Sequence, residues 1–212
     1  LLAELPPFRR IGDGMAQRTF GTAKAGGRDL QAGGTWLGVN RRGRFAALTN
    51  IRTGLPKPDD KRSRGELVAN YLSGDIDPLD YLTQVRDAAH DYHGFNLIFG
   101  DEHALYWITN GDDVEFKPLE PGIYGLSNGS LDTPWPKVVR AKAQFASLLC
   151  QGAPDGAYFD MLADTTRASD CRLPKTGVSF EWEDCCHRSV SNRKITAHVH
   201  RPSCASITVA KR

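Results

Sequence analysis

Between residues 94 and 128 four short apolar runs follow one another with little between them: GFNLIFG, ALYWITN, VEFKPL and GIYGLSN, broken by GDEH, NGDD and EPG. Runs of this length, rich in β-branched and aromatic residues and bounded by Gly, Asn, Asp and Pro, read as strands joined by tight turns. Upstream, TWLGV, NRRG and RFAALTN give strand, turn and strand, with Asn40 and Gly43 supplying turn chemistry. The basic NRRGR segment is expected to be a solvated hairpin tip and not a phosphate site, because the flanking strands account for it. The glycine-rich GGRDLQAGGTWLG, residues 26 to 38, precedes a strand and lacks the Gly-Lys-Ser/Thr of a phosphate loop. It is read as a shaped loop whose glycines permit close backbone approach.

Helices separate these strand blocks. SRGELVANYLSG carries Ser63 and Glu66 at the spacing of a capping box, with Leu67, Val68, Tyr71 and Leu72 on one face. Asp77 and Pro78 place a cap and a first-turn proline before LDYLTQVRDAAHDY, in which Leu79, Leu82, Val85 and Ala89 recur at helical spacing. WPKVVRAKAQFASLLCQG forms a further helix ended by Gly152, and GAYFDMLAD a shorter one. Strands, helices, strands and helices in that order predict a layered α+β domain with sheets between helical layers. The 212 residues contain no repeat and no linker, so one domain over 1–212 is expected.

A formal charge of +2 is too small to imply nucleic acid or a charged membrane surface. No apolar run approaches the ~20 residues that span a bilayer. The opening LLAELPPFRR has none of the parts of a secretory signal, and a soluble cytoplasmic protein is expected. The chain begins with Leu and not Met, which implies processing or incompleteness.

No Gly-x-Ser-x-Gly elbow is present. Cys150 ends an apolar helical face and is expected to be a buried structural thiol. Cys185, Cys186, His187, His198 and His200 are metal-capable, but adjacent cysteines lack ligand spacing, and no metal is expected. His90 and His93 are expected at the surface or at a helix end. Asn50 and Asn128 each close an apolar strand. Such asparagines are turn formers or, alternatively, amide donors to an oxyanion.

Taken in order, GRDLQAGGTWLGV, GRFAALTN, SRGELV, GFNLIFGD, YGLSN and LDTPWPKV resemble the transport and Golgi organisation protein 2 family, also called the NRDE family. The likeness runs from about Gly27 to Glu183. It implies an N-terminal-nucleophile hydrolase-like αββα sandwich, with an N-terminal Cys as nucleophile in relatives that cleave amides. It favours the oxyanion or pocket reading of Asn50 and Asn128, and places Arg28 and Asp29 in the wall beside the pocket. It also implies a carrier of haem or a related amphipathic ligand such as an acyl thioester. The residues themselves show no haem-attachment motif, and no further cofactor is implied.

Residues 1–25 contain neither the expected Met-Cys start nor an Asn-Arg-Asp-Glu motif, and residues 184–212 depart from the family's Tyr-Gly-Thr-Arg ending. Back-translated with one permitted choice of codons and moved back by one nucleotide, the tail reads RLLSPICIESEDYGTRAS, which resembles that ending. Both segments are therefore expected to be frameshift products, leaving the sandwich incomplete at both ends and short of a strand. Without the cysteine, hydrolysis is not expected of the chain as written. Two alternatives stand beside the carrier: an amidohydrolase or acyltransferase lacking its nucleophile here, and an inactive remnant.

Overall fold

A computed structural model describes residues 24–27, 29, 33–52 and 60–164, several positions between 166 and 177, and 207–211. In chain order the strands and helices are β1 (Lys24–Gly26), β2 (Leu37–Asn40), β3 (Phe45–Asn50), α1 (Gly65–Ser73), α2 (Pro78–Asp87), β4 (Phe95–Gly100), β5 (Leu105–Asn110), β6 (Val114–Pro118), β7 (Gly122–Leu126), α3 (Pro136–Cys150), α4 (Asp155–Leu162) and β8 (Ile207–Lys211). Strands β1 to β6 form one antiparallel sheet in which every strand lies beside its neighbour in sequence. Strands β7 and β8 pair antiparallel in a second sheet.

Strand alternation divides the large sheet into two faces. Ala46, Leu48, Leu97, Phe99 and Ile108 point to one side, where Leu67, Val68, Tyr71 and Leu72 of α1 and Tyr81, Leu82 and Val85 of α2 cover them. Tyr71, Tyr81 and Phe99 meet there with ring centroids 5.0 to 5.3 Å apart. Each such pair contributes ~0.5–1.5 kcal/mol beyond its buried area. Ile98 and Trp107 point the other way, against Leu126 of β7 and Leu119, with Tyr124 and Leu131 at the margin.

Beyond β7 lies α3. A Cβ on Gly125 would stand 2.6 Å from Val138 Cγ1 and 3.1 Å from Lys142 Cδ, so the helix crosses where the strand has no side chain. Phe145 and Tyr158 then hold α4 to α3, ring centroids 5.5 Å apart. The packing order is helix, sheet, sheet, helix, as the αββα expectation requires.

The glycine-rich loop is a spacer, as its sequence implies. A Cβ on Gly34 would fall 2.4 Å from the Gly65 carbonyl carbon, and Thr35 N–H donates to the Gly65 carbonyl at 3.1 Å. That closeness displaces the predicted capping box. Helix α1 opens at Gly65 behind Arg64 with no side-chain cap. The Glu66 carboxylate instead accepts from Tyr92 Oη at 2.6 Å and pairs with Arg62 at 2.5 Å. Helix α2 begins as predicted, Asp77 accepting from Leu79 N–H at 2.8 Å.

Four further expectations are corrected. Leu79 is 55% exposed, because the buried face of α2 is made by Pro78, Tyr81, Leu82 and Val85. Cys150 is exposed, because it lies at the far end of α3, whose buried residues, Lys137 and Val138, are in the first turn. The NRRGR hairpin is not a merely solvated tip. Arg44 donates to the carbonyls of Tyr71 (3.4 Å), Gly74 (3.1 Å) and Ile76 (2.7 Å), closing the C-terminus of α1. Asn40 donates to Leu72 O at 3.0 Å, and Arg42 pairs with Asp75. Finally, the tail expected to leave a strand missing supplies β8, which covers one edge of β7; residues 178–206 lie outside the described residues.

Candidate functional site

Where β3 ends, the two sheets are joined by polar side chains and not by apolar packing. Thr49, Asn96 and Thr109 project into the layer between the sheets, and all three are buried. Thr49 Oγ1 donates to the Ser127 carbonyl at 2.6 Å. Asn96 Nδ2 donates to the Gly129 carbonyl at 2.8 Å and to Thr49 Oγ1 at 3.3 Å, while its Oδ1 accepts from Trp107 Nε1 at 3.3 Å. A buried asparagine this fully partnered fixes the register between two layers, since losing any partner leaves a desolvated polar group.

The two asparagines singled out in the sequence meet at the edge of this layer. Asn128 Nδ2 donates to the main-chain carbonyl of Asn50 at 2.8 Å. Arg52 grips the same residue twice, its N–H donating to Asn128 O at 2.9 Å and its Nη2 to Asn128 Oδ1 at 3.3 Å. The Asn50 side chain behaves differently, for its Oδ1 is buried without a hydrogen-bond partner. Asn110, another strand-end asparagine, shows what the purely structural role looks like. Its Oδ1 accepts from Phe95 N–H at 2.7 Å, and its Nδ2 donates to Ala89 O at 2.7 Å and Tyr92 O at 3.2 Å. Asn50 therefore carries a polar atom that the described fold does not use.

Beside Asn128 stands Trp135, the residue before α3. The Arg52 guanidinium carbon lies 5.6 Å from the centroid of its ring, and Lys137 Nζ lies 5.9 Å from it. Lys137 is only 3% exposed. Thr49, Asn96, Arg52, Trp135 and Lys137 were not singled out in the sequence. A signal existed for one of them: Asn96 is the lone polar residue inside FNLIF.

Arg28 lies outside the described residues. Asp29 closes its own loop, its N–H donating to Gly34 O at 2.8 Å and its carbonyl accepting from Gly33 N–H at 2.9 Å. The loop rests on the start of α1 through Gly34 and Gly65. Cys185, Cys186, His187, His198 and His200 also lie outside the described residues. Among the described residues no group of three or more His, Cys, Asp or Glu side chains is placed to hold a metal.

A depression of about 490 Å³ is lined by Trp107, Val114, Glu115, Phe116, Lys117, Ser130 and Leu131. Lys117 Nζ stands 5.7 Å over the Trp107 ring. Trp107 thus has its indole N–H in the polar layer and its ring in the wall of the depression.

The fold and site define a layered αββα protein with a polar seam between its sheets. Residues 16–196 match the family described as Transport and Golgi organisation 2, and the chain belongs to that family. It is 36% identical over 161 residues to the Transport and Golgi organization 2 homolog of Mus musculus, covering 73% of this chain and 58% of that protein. The Bos taurus homolog is 39% identical over 157 residues (70% and 56%) and the Homo sapiens homolog 38% over 154 (69% and 55%). The chain thus spans little more than half the length of these relatives. A solved structure, penicillin V acylase from Agrobacterium tumefaciens, aligns at a TM-score of 0.35 and 12% identity over 60% of this chain and 40% of that one, a likeness too slight to bear on function. Among the described residues no helix is long and apolar enough to cross a membrane.

Proposed function

We propose that this member of the Transport and Golgi organisation 2 family binds a small amphipathic ligand, with haem as the first candidate and an acyl thioester as the second, and carries it in the cytoplasm. One observation supports the reading above others. The depression beside Trp107 offers apolar surface from Trp107 and Leu131, with Lys117, Ser130 and Glu115 as polar neighbours, so that an apolar body can rest on the indole while an acidic group meets Lys117. Titration of the purified chain with haemin, followed in the Soret region and by tryptophan emission, tests it. A saturable spectral change that weakens in Lys117→Ala and Leu131→Asp supports the reading. No change on haemin addition, together with none on addition of a long-chain acyl thioester, overturns it.

A second reading, hydrolysis or acyl transfer with a side-chain amide N–H of Asn128 or Asn50 holding an oxyanion, draws support from the juxtaposition of the two residues. Asn128 keeps one amide hydrogen beyond the one given to Asn50. This reading requires a nucleophile in the full-length protein. Labelling of a mature N-terminal cysteine by a thiol-directed probe supports it, and its failure with intact protein counts against it. We also retain the reading of residues 1–25 and 184–212 as frame-shifted flanks of a single domain. Sequencing of the coding DNA through both segments decides between a shifted and an uninterrupted frame.

A further inference from the structure

Strand β6 ends one side of the six-stranded sheet, and among the described residues no strand pairs with its outer edge. Glu115, Phe116, Lys117 and Pro118 are all exposed there, Phe116 by 46%. The ladder with β5 fixes which backbone groups face outward. Leu119 N–H donates at 2.8 Å to the carbonyl of Leu105 opposite it, so by alternation Lys117 with Trp107 and Glu115 with Thr109 are the hydrogen-bonded pairs. The N–H and C=O groups of Val114 and Phe116 therefore point away from β5. Pro118 belongs to the same outward row, where the β5 ladder needs no N–H. On the pleat, Glu115 and Lys117 share one face and Phe116 lies on the other.

A charge on an edge strand ordinarily keeps copies of a chain apart. The sequence VEFKP has a different property, for it is complementary to itself when turned end for end. Apposed antiparallel about Phe116, two copies set each Glu115 opposite the Lys117 of the other, with the two Phe116 rings side by side on the opposite face. The two Phe116 residues exchange N–H and C=O across the axis, and each Val114 N–H meets a Pro118 carbonyl, so every outward N–H of the strand is used. Like charges meet only beyond the strand, where Asp112 faces Glu120. We propose that β6 is the seam of a homodimer in which two six-stranded sheets join antiparallel, with Phe116 at the two-fold axis. Glu115 and Lys117 also border the depression at Trp107, but the inference does not rest on the ligand reading, because association is measured with no ligand present.

Sedimentation velocity of the full chain over a dilution series tests it, with amide hydrogen exchange as a second readout. The expected result is a concentration-dependent passage from monomer to dimer, in which exchange at Val114 and Phe116 slows. Glu115→Lys and Lys117→Glu each turn two symmetry-related opposite-charge pairs into like-charge pairs, and each is expected to weaken association about tenfold or more. Mixed in equal amounts, the two variants bring opposite charges together again and are expected to form a heterodimer as tight as the parent dimer. Circular dichroism melts confirm that each variant folds. The proposal is overturned if the chain stays monomeric across the series; a monomer whose Phe116 amide is nonetheless slow to exchange assigns the edge to another segment of the same chain. A dimer indifferent to both single substitutions, or a mixture no tighter than its components, overturns it as well.

Discussion

Arg44 holds Tyr71 in two ways at once: its Nη1 donates to the Tyr71 carbonyl at 3.4 Å, and its guanidinium carbon sits 5.0 Å over the Tyr71 ring. The same group reaches the Gly74 and Ile76 carbonyls, so one side chain on β3's approach closes the end of α1. Replacing Arg44 by Met is expected to lower unfolding stability by ~1.5–3 kcal/mol, the range for hydrogen bonds to a charged group. Arg42→Ala, which breaks only an exposed pair with Asp75, is expected to change it by less than about 1 kcal/mol. Urea denaturation of the two variants checks the contrast.

Tyr71 itself carries a hydroxyl that is buried without a hydrogen-bond partner. Tyr71→Phe keeps the ring contacts and removes that group, so stability is expected to hold or to rise by ~1 kcal/mol. Burial pushes the Tyr71 phenol up from its ordinary value near 10 to about 12. A group whose acidity is weakened by folding lends stability that is complete below the unfolded value and is lost as pH climbs through the folded one. The melting temperature is therefore expected to fall between pH 10 and 12, and to fall less steeply in Tyr71→Phe. Melts across that window, read by far-UV circular dichroism, test both statements.

Gly125 is the point at which α3 crosses β7. An added methyl would meet Val138 Cγ1 at 2.6 Å, and Val138 is a buried, β-branched helix residue with little freedom to turn aside. Gly125→Ala is expected to destabilise by ~1–3 kcal/mol. The double variant Gly125→Ala, Val138→Ala should recover part of the loss. A double-mutant cycle with additive effects would show that the helix does not lean on this glycine.

Asn128 and Asn50 are predicted to differ. Asn128→Ala leaves the Asn50 carbonyl and the Arg52 guanidinium each short of a partner and is expected to lower stability by ~1–3 kcal/mol. Asn50→Ala removes an acceptor that has no partner and is expected to be near neutral or stabilising. An Asn50→Ala variant that melts normally yet loses ligand response would assign the side chain to function. Equal destabilisation by both substitutions would assign both to scaffold.

The elements were legible because their signals are local. Alternation, tight turns and the Asp77–Pro78 start all act within a few residues, and each appears where the pattern put it. What stayed hidden are partnerships across the chain. Arg44 meets carbonyls 27 to 32 residues ahead, and Asn128 meets Asn50 across 78. No spacing rule reaches that far. The Ser63–Glu66 pair misled for a related reason, because the approach of Gly34 to Gly65 fixed the helix start and Tyr92 claimed the carboxylate. Lys137 reads as an ordinary surface lysine until α3 is docked.

The neighbour-to-neighbour order of β1 to β6 also sets a timetable. Each strand pairs with the one made just before it, across short connections except between β3 and β4, where α1 and α2 intervene and cover one face. Strand β7 waits for β8, which lies beyond α3 and α4. During synthesis the chain must therefore pass through an interval in which one sheet is finished and the other offers an open edge, and that interval is when a chaperone would have most to do.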